Sequence, residues 1–291
     1  MKISVCIVTY KRRAVLTHSL EKLFNSGMPE GEVLVVDNEA APDLPSYLAE
    51  LFPGWNLRVL ACPENRGCAA LNLLFVEAQG EVVVCFDDDS YPMPGCLEKA
   101  CAAFDSDPQL GMIGFRLVEP GSGTPWQDPW WNPECQEPQE TVFCPGCGLA
   151  FRNDGHLPKD RLCLHEIVSQ GHELSLVAEV LRLGYRIERH PECVACHGDT
   201  RPGYTGEKAR VGQENQLRFL LCYADALSLL LLLLTGLWDG LRTGDSQKIK
   251  FMFRAMDGTR HPLPREQMRP FREILSWHIH PRLHCFLPRV K

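Results

Sequence analysis

At 291 residues, with 45% hydrophobic and 23% charged residues, the chain is long enough to bury a sizeable core as one large domain or one domain plus an appendage. Its formal net charge of −7 argues against a general nucleic-acid binder and against a strongly acidic solvating protein. The total conceals an asymmetry: residues 244–291 carry ten Lys or Arg against four Asp or Glu, a basic tail on an acidic body that suggests an anionic surface or partner near the C-terminus.

The opening "MKISVCIVTY" moves into β-branched alternation after one Lys, with neither a long apolar region nor a small-residue cleavage site, so no signal peptide is expected. Fourteen cysteines without an export signal point to free thiols in a reducing cytoplasm. "ISVCIVTY" (3–10) reads as a buried strand, "RAVLTHSLEKLFNSG" as an amphipathic helix stopped by Gly27, and "EVLVVDN" (32–38) as a second buried strand. "LPSYLAELF" reads as helix, "LRVLAC" (57–62) as strand, "CAALNLLFVEAQG" (68–80) as a helix with Gly80 as its C-cap, and "EVVVCF" as strand. Near-continuous apolar strands separated by single helices predict an α/β fold: three layers, α/β/α, around a mostly parallel sheet. Ligands bind at the carboxyl ends of such strands.

Beyond this point "GCLEKACAAFDSD" (95–107) predicts a helix and "GMIGFRLVE" (111–119) a strand. Residues 120–140 hold five Pro and three Trp and predict a long surface loop. "GCGLAFR" returns to strand, "GHELSLVAEVLRLGYRI" (171–187) is a helix running into a strand, and residues 213–242 are strongly helical. The expected organisation is an α/β domain over 1–212 and a helical, basic extension over 213–291.

The chemistry begins at "EVVVCFDDDSYP" (81–92), where a strand ends in Asp87, Asp88 and Asp89. Asp37 ends the "VLVV" strand in the same way, so these acids should share one sheet edge. Carboxylates so crowded are costly without a cation or hydrogen-bond donors, and Mg²⁺ sharing its shell with phosphate oxygens would relieve the repulsion. The structural alternative is a turn and helix N-cap built by Asp88, Asp89 and Ser90 ahead of Pro92 and Pro94.

The ordered set "SVCIVTYKR", "VLVVDN", "NRGCAALN", "VVVCFDDDSYP", "GCGLAFR", "HELSLVAEVLRLGYRI" and "CHGD" resembles the family 2 glycosyltransferases of the GT-A fold, most of all bacterial rhamnosyltransferase-like enzymes. The resemblance runs from about residue 2 to about 242. It implies an inverting transfer from a nucleotide-diphosphate sugar, UDP- or dTDP-linked, to a saccharide, lipid-linked or other acceptor hydroxyl, with Mg²⁺ or Mn²⁺ bridging the diphosphate. Thr9 and Tyr10 would line the base and ribose pocket, Asp37 would hydrogen-bond base or ribose, and Asn65 and Gly67 would close over the nucleotide. Asp89 would ligate the metal, Asp87 would serve the metal and the ribose or sugar side, and Asp88 would line the donor site or only shape the turn. His197, in "CVACHGD", falls where relatives place a histidine near metal or diphosphate, and Arg201 could contact the diphosphate. The chain departs from the pattern at the catalytic base: the family's Glu-Asp-x-Asp aligns with His172, Glu173, Leu174 and Ser175. Glu173 is then the expected base, with His172 and Glu166 as competitors. Relatives often act on lipid-linked acceptors at the inner membrane face, in polysaccharide or glycoconjugate synthesis.

Two other classes share some of these features. A sugar-nucleotide nucleotidyltransferase would carry a Gly-rich loop after the first strand, where this chain reads "TYKRRAVL". A zinc-stapled, non-catalytic binding module would draw on Cys144-Pro-Gly-Cys147 and Cys193-Val-Ala-Cys196, although the 45 residues between the pairs exceed the usual spacing and buried free thiols are the favoured reading. Trp126, Trp130 and Trp131 suit either stacking on a ligand or packing of their loop. The run "ALSLLLLLLTGLW" (226–238) is short for a membrane span and reads as a buried helix or one lying in the interface of an anionic membrane.

Overall fold

The computed structural model describes residues 1–126, 135–164, 171–198, 206–243 and 260–288. Trp130, Trp131, Glu166, Arg201 and the first part of the basic tail lie outside the described residues. The chain divides into two compact units, Met1–Thr205 and Gly206–Lys291.

The first unit is built on one sheet: β1 (Ile3–Thr9), β2 (Gly31–Asp37), β3 (Leu57–Ala61), β4 (Val82–Asp87), β5 (Ser90–Pro92), β6 (Leu110–Val118), β7 (Gln139–Glu140), β8 (Leu149–Arg152) and β9 (Arg186–His197). Their spatial order is β3-β2-β1-β4-β8-β6-β9-β5, with β7 paired to β9. Helices α1 (Arg13–Asn25), α2 (Leu44–Leu51), α3 (Leu71–Glu77), α4 (Cys96–Ser106) and α5 (His172–Arg182) connect them. The period-2 alternation of the strands decides which helix covers which face. Ile3, Val5 and Ile7 of β1 share a core with Leu16, Leu20 and Leu23 of α1 and with Leu97, Ala100 and Phe104 of α4. On the other face Phe75 of α3 meets Phe151 of β8 edge-on at 5.3 Å.

The sheet is mixed rather than mostly parallel. β3, β2, β1 and β4 run parallel, as does β9 beside β6, but β8 lies antiparallel to both β4 and β6. A parallel neighbour requires a crossover, usually helical; among the described residues no helix lies between β6 and β8, and β8 returns in the opposite sense. Burial between two strands makes "LAFR" as apolar as a parallel strand, which hides its direction in the sequence. Gly80 is not a helix C-cap: α3 ends at Glu77, preceded by a 3₁₀ turn over Gly67–Ala70. A Cβ on Gly80 would lie 2.5 Å from the backbone of Ile3 and Ser4, so glycine is needed there for close approach to β1.

The second unit is helical, with α6 (Gly206–Tyr223), α7 (Ala226–Thr243) and short helices over Arg265–Met268 and Arg272–His278. The helical run expected over 213–242 is broken at Asp225. Its carboxylate accepts the N–H groups of Leu227 and Ser228 at 3.1 and 3.3 Å and a hydrogen bond from Arg265 at 3.0 Å, which caps α7.

Candidate functional site

Three strand ends define the site. In the parallel register Thr9 lies beside Asp37 and Val8 beside Asp87, so the carboxyl ends of β2, β1 and β4 stand side by side. Consecutive strands leave to opposite sides of β1, which makes the β1/β4 boundary the topological switch point where such sheets open a crevice.

The three aspartates have separate surroundings. Asp88 turns inward and is buried, accepting a hydrogen bond from Thr9 Oγ1 at 2.8 Å and an ion pair from Arg12 at 2.8 Å. Burial pushes its carboxyl up to about 6, against the pull of Thr9 and Arg12. Asp89 accepts a 2.8 Å hydrogen bond from the same guanidinium, and its other oxygen lies 3.2 Å from His197 Nε2. Burial would raise Asp89 as well, but the hydrogen bonds from His197 and Arg12 prevail and hold it at about 2. Asp87 is the most open of the three, 3.6 Å from His197 Nε2. The turn is tied by Ser90, whose hydroxyl accepts the Asp87 N–H at 2.8 Å, so the turn-forming alternative describes part of the triplet's work.

His197 reaches the aspartates through strand pairing. β5 lies antiparallel to β9 with Ser90 opposite His197, and the Gly198 N–H donates to the Asp89 carbonyl at 3.1 Å. The Trp126 ring packs on the imidazole, centroids 4.5 Å apart. The ligand atoms of Asp87, His197 and Cys147 lie within 4.8 Å of one another. Asp87 and Asp89 offer oxygen and His197 offers nitrogen, so this donor set fits a divalent cation, and Arg12 alone does not balance the carboxylate charge.

A second group lies along the ends of β2 and β3. Asp37 is buried and accepts the N–H groups of Glu39 and Ala41 at 2.9 and 2.8 Å, one on each oxygen. Asn38 clamps the facing loop, donating to the Gly67 carbonyl at 3.1 Å and accepting the Arg66 N–H at 3.0 Å, while Asn65 accepts the Gly67 N–H at 2.9 Å. Gly67 has φ +54°, a backbone state natural to glycine. Tyr10 is exposed at the end of β1 with the Lys11 ammonium 5.1 Å from its ring centre.

The start of α5 forms the third group. His172 and Glu173 are both buried, with His172 Nδ1 3.4 Å from Glu173 Oε2. Gly146 makes room for them: a Cβ there would sit 2.5 Å from the imidazole and 3.4 Å from the Glu173 carboxylate. Burial raises the Glu173 pKa, with His172 partly opposing. Burial would lower His172, but Cys68, hydrogen-bonded to it, together with Glu173 and Asp87 lifts it to about 10. Ser175 turns away from any ligand role, donating to the Leu162 and His172 carbonyls at 2.6 and 2.8 Å.

Sequence reasoning did not single out Arg12, Asn38 or Cys68, and it weighed Cys147 only as half of a CxxC pair, not as a neighbour of Asp87 and His197. Arg12 and Asn38 stand next to residues that were singled out, which was the available signal; the two thiols join the site only through long-range packing. All fourteen cysteines are free, and among the described residues the thiols of the two CxxC pairs do not come together in one metal-capable group. Cys193 hydrogen-bonds with Cys96, Cys196 lies 3.6 Å from Met93 Sδ, and Cys144 packs by Gly114. Among the described residues one helix, α7, is long and apolar enough to cross a membrane, and a third of it is buried.

The profile of Glycosyl transferase family 2 matches residues 4–153. The uncharacterized glycosyltransferase YwdF of Bacillus subtilis (strain 168) is 33% identical over 100 residues, a match spanning 34% of this chain and 37% of that protein. Among solved structures, S. aureus TarS 1-349 in complex with UDP-GlcNAc superposes with a TM-score of 0.62 at 16% identity, over 98% of this chain and 85% of that one. The mannosyltransferase PcManGT from Pyrobaculum calidifontis, solved with GDP-Man and Mn²⁺, gives 0.54 at 21% identity, over 87% and 73%. At such identities these likenesses speak to the fold, which is the α/β fold of GT-A glycosyltransferases.

Proposed function

The chain belongs to glycosyl transferase family 2, and on that premise we propose that it is an inverting enzyme moving a sugar from a nucleotide-diphosphate donor, UDP- or dTDP-linked, to an acceptor hydroxyl. The observation that carries this reading is the convergence of Asp87, Asp89 and His197 at the switch point of the sheet. In this reading Thr9, Tyr10, Asp37, Asn65 and Gly67 bind base and ribose, Asp87 lines the diphosphate and sugar side while the inward-facing Asp88 shapes the turn behind it, and Asp89, Asp87 and His197 hold Mg²⁺ or Mn²⁺. The metal, when bound, supplies Lewis-acid neutralisation of the leaving diphosphate.

Glu173 is assigned as the base that takes the acceptor proton during one in-line displacement. Its burial supports the role, because a raised pKa makes a carboxylate a stronger base near neutral pH. His172 then acts as a fixed cation beside it rather than as the base, which agrees with its elevated pKa of about 10. The acceptor is proposed to be a saccharide or lipid-linked hydroxyl in cell-surface polysaccharide or glycoconjugate synthesis at the cytoplasmic face of a membrane. An apolar stripe on α7 supports peripheral contact with that surface: Leu227, Leu230, Leu234, Leu237 and Leu241 are exposed at helical spacing, with Trp238 beside them.

A thermal-shift panel of UDP-, dTDP- and GDP-sugars with and without Mn²⁺ tests the donor assignment. A Mn²⁺-dependent shift with one donor class is expected, and no shift with any of them under any metal condition would overturn it.

A further inference from the structure

Cys147 stands between two glycines, and each flank is packed tightly. A Cβ on Gly146 would overlap the His172 ring at 2.5 Å, and one on Gly148 would meet Leu117 at 2.8 Å. The backbone is fixed too: the Gly148 N–H donates to the Pro145 carbonyl at 3.0 Å and its carbonyl accepts the Phe115 N–H at 2.9 Å. A side chain between such neighbours has little freedom to leave. Cys147 is buried, and its sulfur lies within 4.8 Å of ligand atoms of both Asp87 and His197. His197 is held by the Trp126 ring and by the pairing of β9 with β5.

We propose that Asp87, Cys147 and His197 form a mixed oxygen, sulfur and nitrogen site that captures a thiophilic divalent cation such as Zn²⁺ or Cd²⁺. The claim goes beyond the transferase reading and needs no sugar nucleotide. Thiolate and imidazole select borderline and soft cations, whereas Mg²⁺ prefers an all-oxygen shell. In a tetrahedral site with zinc–sulfur and zinc–nitrogen bonds of about 2.3 and 2.0 Å, neighbouring ligand atoms stand about 3.5 Å apart, so atoms already within 4.8 Å of one another have only a small distance to draw in. Capture displaces the thiol proton to solvent, and the fourth position is left to Asp89 or water. A soft cation held here occupies the place assigned to Mg²⁺ or Mn²⁺, making the site one that zinc-class ions block. The second grouping of metal-capable side chains among the described residues, His190, Glu192 and Cys193, lacks this openness: the two ring nitrogens of His190 are already 2.8 Å from Glu192 and 3.1 Å from Glu188.

The test is a titration of the full-length, reduced protein with Co²⁺, read by the near-ultraviolet sulfur-to-cobalt charge-transfer band. Wild-type protein and a Cys285→Ser control should both develop the band, and Zn²⁺ should abolish it. Cys147→Ser and Cys147→Ala should lose it while keeping the wild-type circular dichroism spectrum. A band of equal intensity in both Cys147 variants, or none in the wild type, would overturn the proposal. Mn²⁺-dependent sugar-nucleotide binding, measured on metal-free portions of the same preparations to which no Co²⁺ or Zn²⁺ has been added, distinguishes the two readings: its absence from a wild type that shows the cobalt band would sink the transferase assignment and leave the soft-cation site standing.

Discussion

His197 Nε2 lies 3.2 Å from Asp89 Oδ1, joining the last residue of β9 to the turn that follows β4. The contact exists because the three-residue strand β5 turns directly onto β9 and sets Ser90 opposite His197. A carboxylate and an imidazole placed this way are a pair of cation donors whose spacing is set by backbone hydrogen bonds. His197→Ala should therefore weaken Mn²⁺ affinity by about 10- to 100-fold, and Asp89→Ala should abolish Mn²⁺-dependent donor binding, both measured by isothermal titration. An Asp89→Ala protein that still binds donor in a Mn²⁺-dependent way would contradict the metal assignment.

Arg12 is the internal counter-ion of Asp88 and Asp89. Removing it leaves two largely buried carboxylates facing each other, so Arg12→Ala is expected to destabilise the fold by about 2 kcal/mol, a value reduced from that of a fully buried pair because the guanidinium is partly exposed. Urea denaturation gives the loss directly. Saturating Mn²⁺ should raise the melting temperature of Arg12→Ala by more than that of the wild type, since the ion would replace the missing charge; an equal or smaller rise would count against a shared role.

Asp88 gives the site a pH signature. Its folded pKa of about 6 stands above the ordinary value of 3.8, so protonation favours the native state: the favourable contribution is complete below 3.8 and disappears as pH rises through about 6. Asp88→Asn escapes this loss. The stability of the variant relative to wild type should thus increase by about 3 kcal/mol between pH 3.5 and 7.5, from denaturation curves at stepped pH. Asp89, held at about 2, has the opposite sense: its contribution is present above 3.8 and is lost only as pH falls towards 2.

Glu173→Gln keeps the side chain's volume and removes its proton affinity. Turnover should drop about 10²- to 10⁴-fold while donor affinity stays within a factor of about two, which separates loss of a base from loss of binding. Should His172→Asn lower turnover as much, with Glu173→Gln nearly silent, the roles of the two neighbours would be exchanged.

The stripe on α7 is testable without knowledge of the acceptor. Trp238 and Leu241 are 60% and 77% exposed. Co-flotation with vesicles containing anionic phospholipid is expected for the wild type, and the double variant Trp238→Ala, Leu241→Glu should lose most of it. Flotation that is unchanged by the double variant, or absent from the wild type, would exclude this face as the membrane contact.

Much of the first unit could be read from periodicity. β1, β2 and β4 are apolar runs ended by Thr9, Asp37 and Asp87, and α1 repeats its apolar positions at Leu16, Leu20 and Leu23, so strand, helix and site edge followed from local pattern. The direction of β8 did not, because strand sense is a property of the connection and leaves no mark on a run buried between two neighbours. Nor did the meeting of Cys147 with Asp87 and His197, which depends on three segments far apart in the chain. Asp225 was visible only as a flanking charge; that it would cap a new helix and split the run depended on its partner Arg265, far along the chain. The acids were legible because like charges in sequence demand an explanation, whereas Arg12 and Asn38 look like ordinary surface residues until their partners are in place.

The place of β9 bears on how the catalytic part could be cut free. The family profile ends at residue 153, and a fragment trimmed to that point would look complete by homology. It would lack α5 with Glu173 and β9 with His197, and β6 would be left with a bare row of amides and carbonyls where β9 had been paired. Such an edge recruits other chains, so the short fragment should precipitate, and an expression boundary for the α/β unit has to lie beyond Gly198, whose N–H fastens the turn at Asp89.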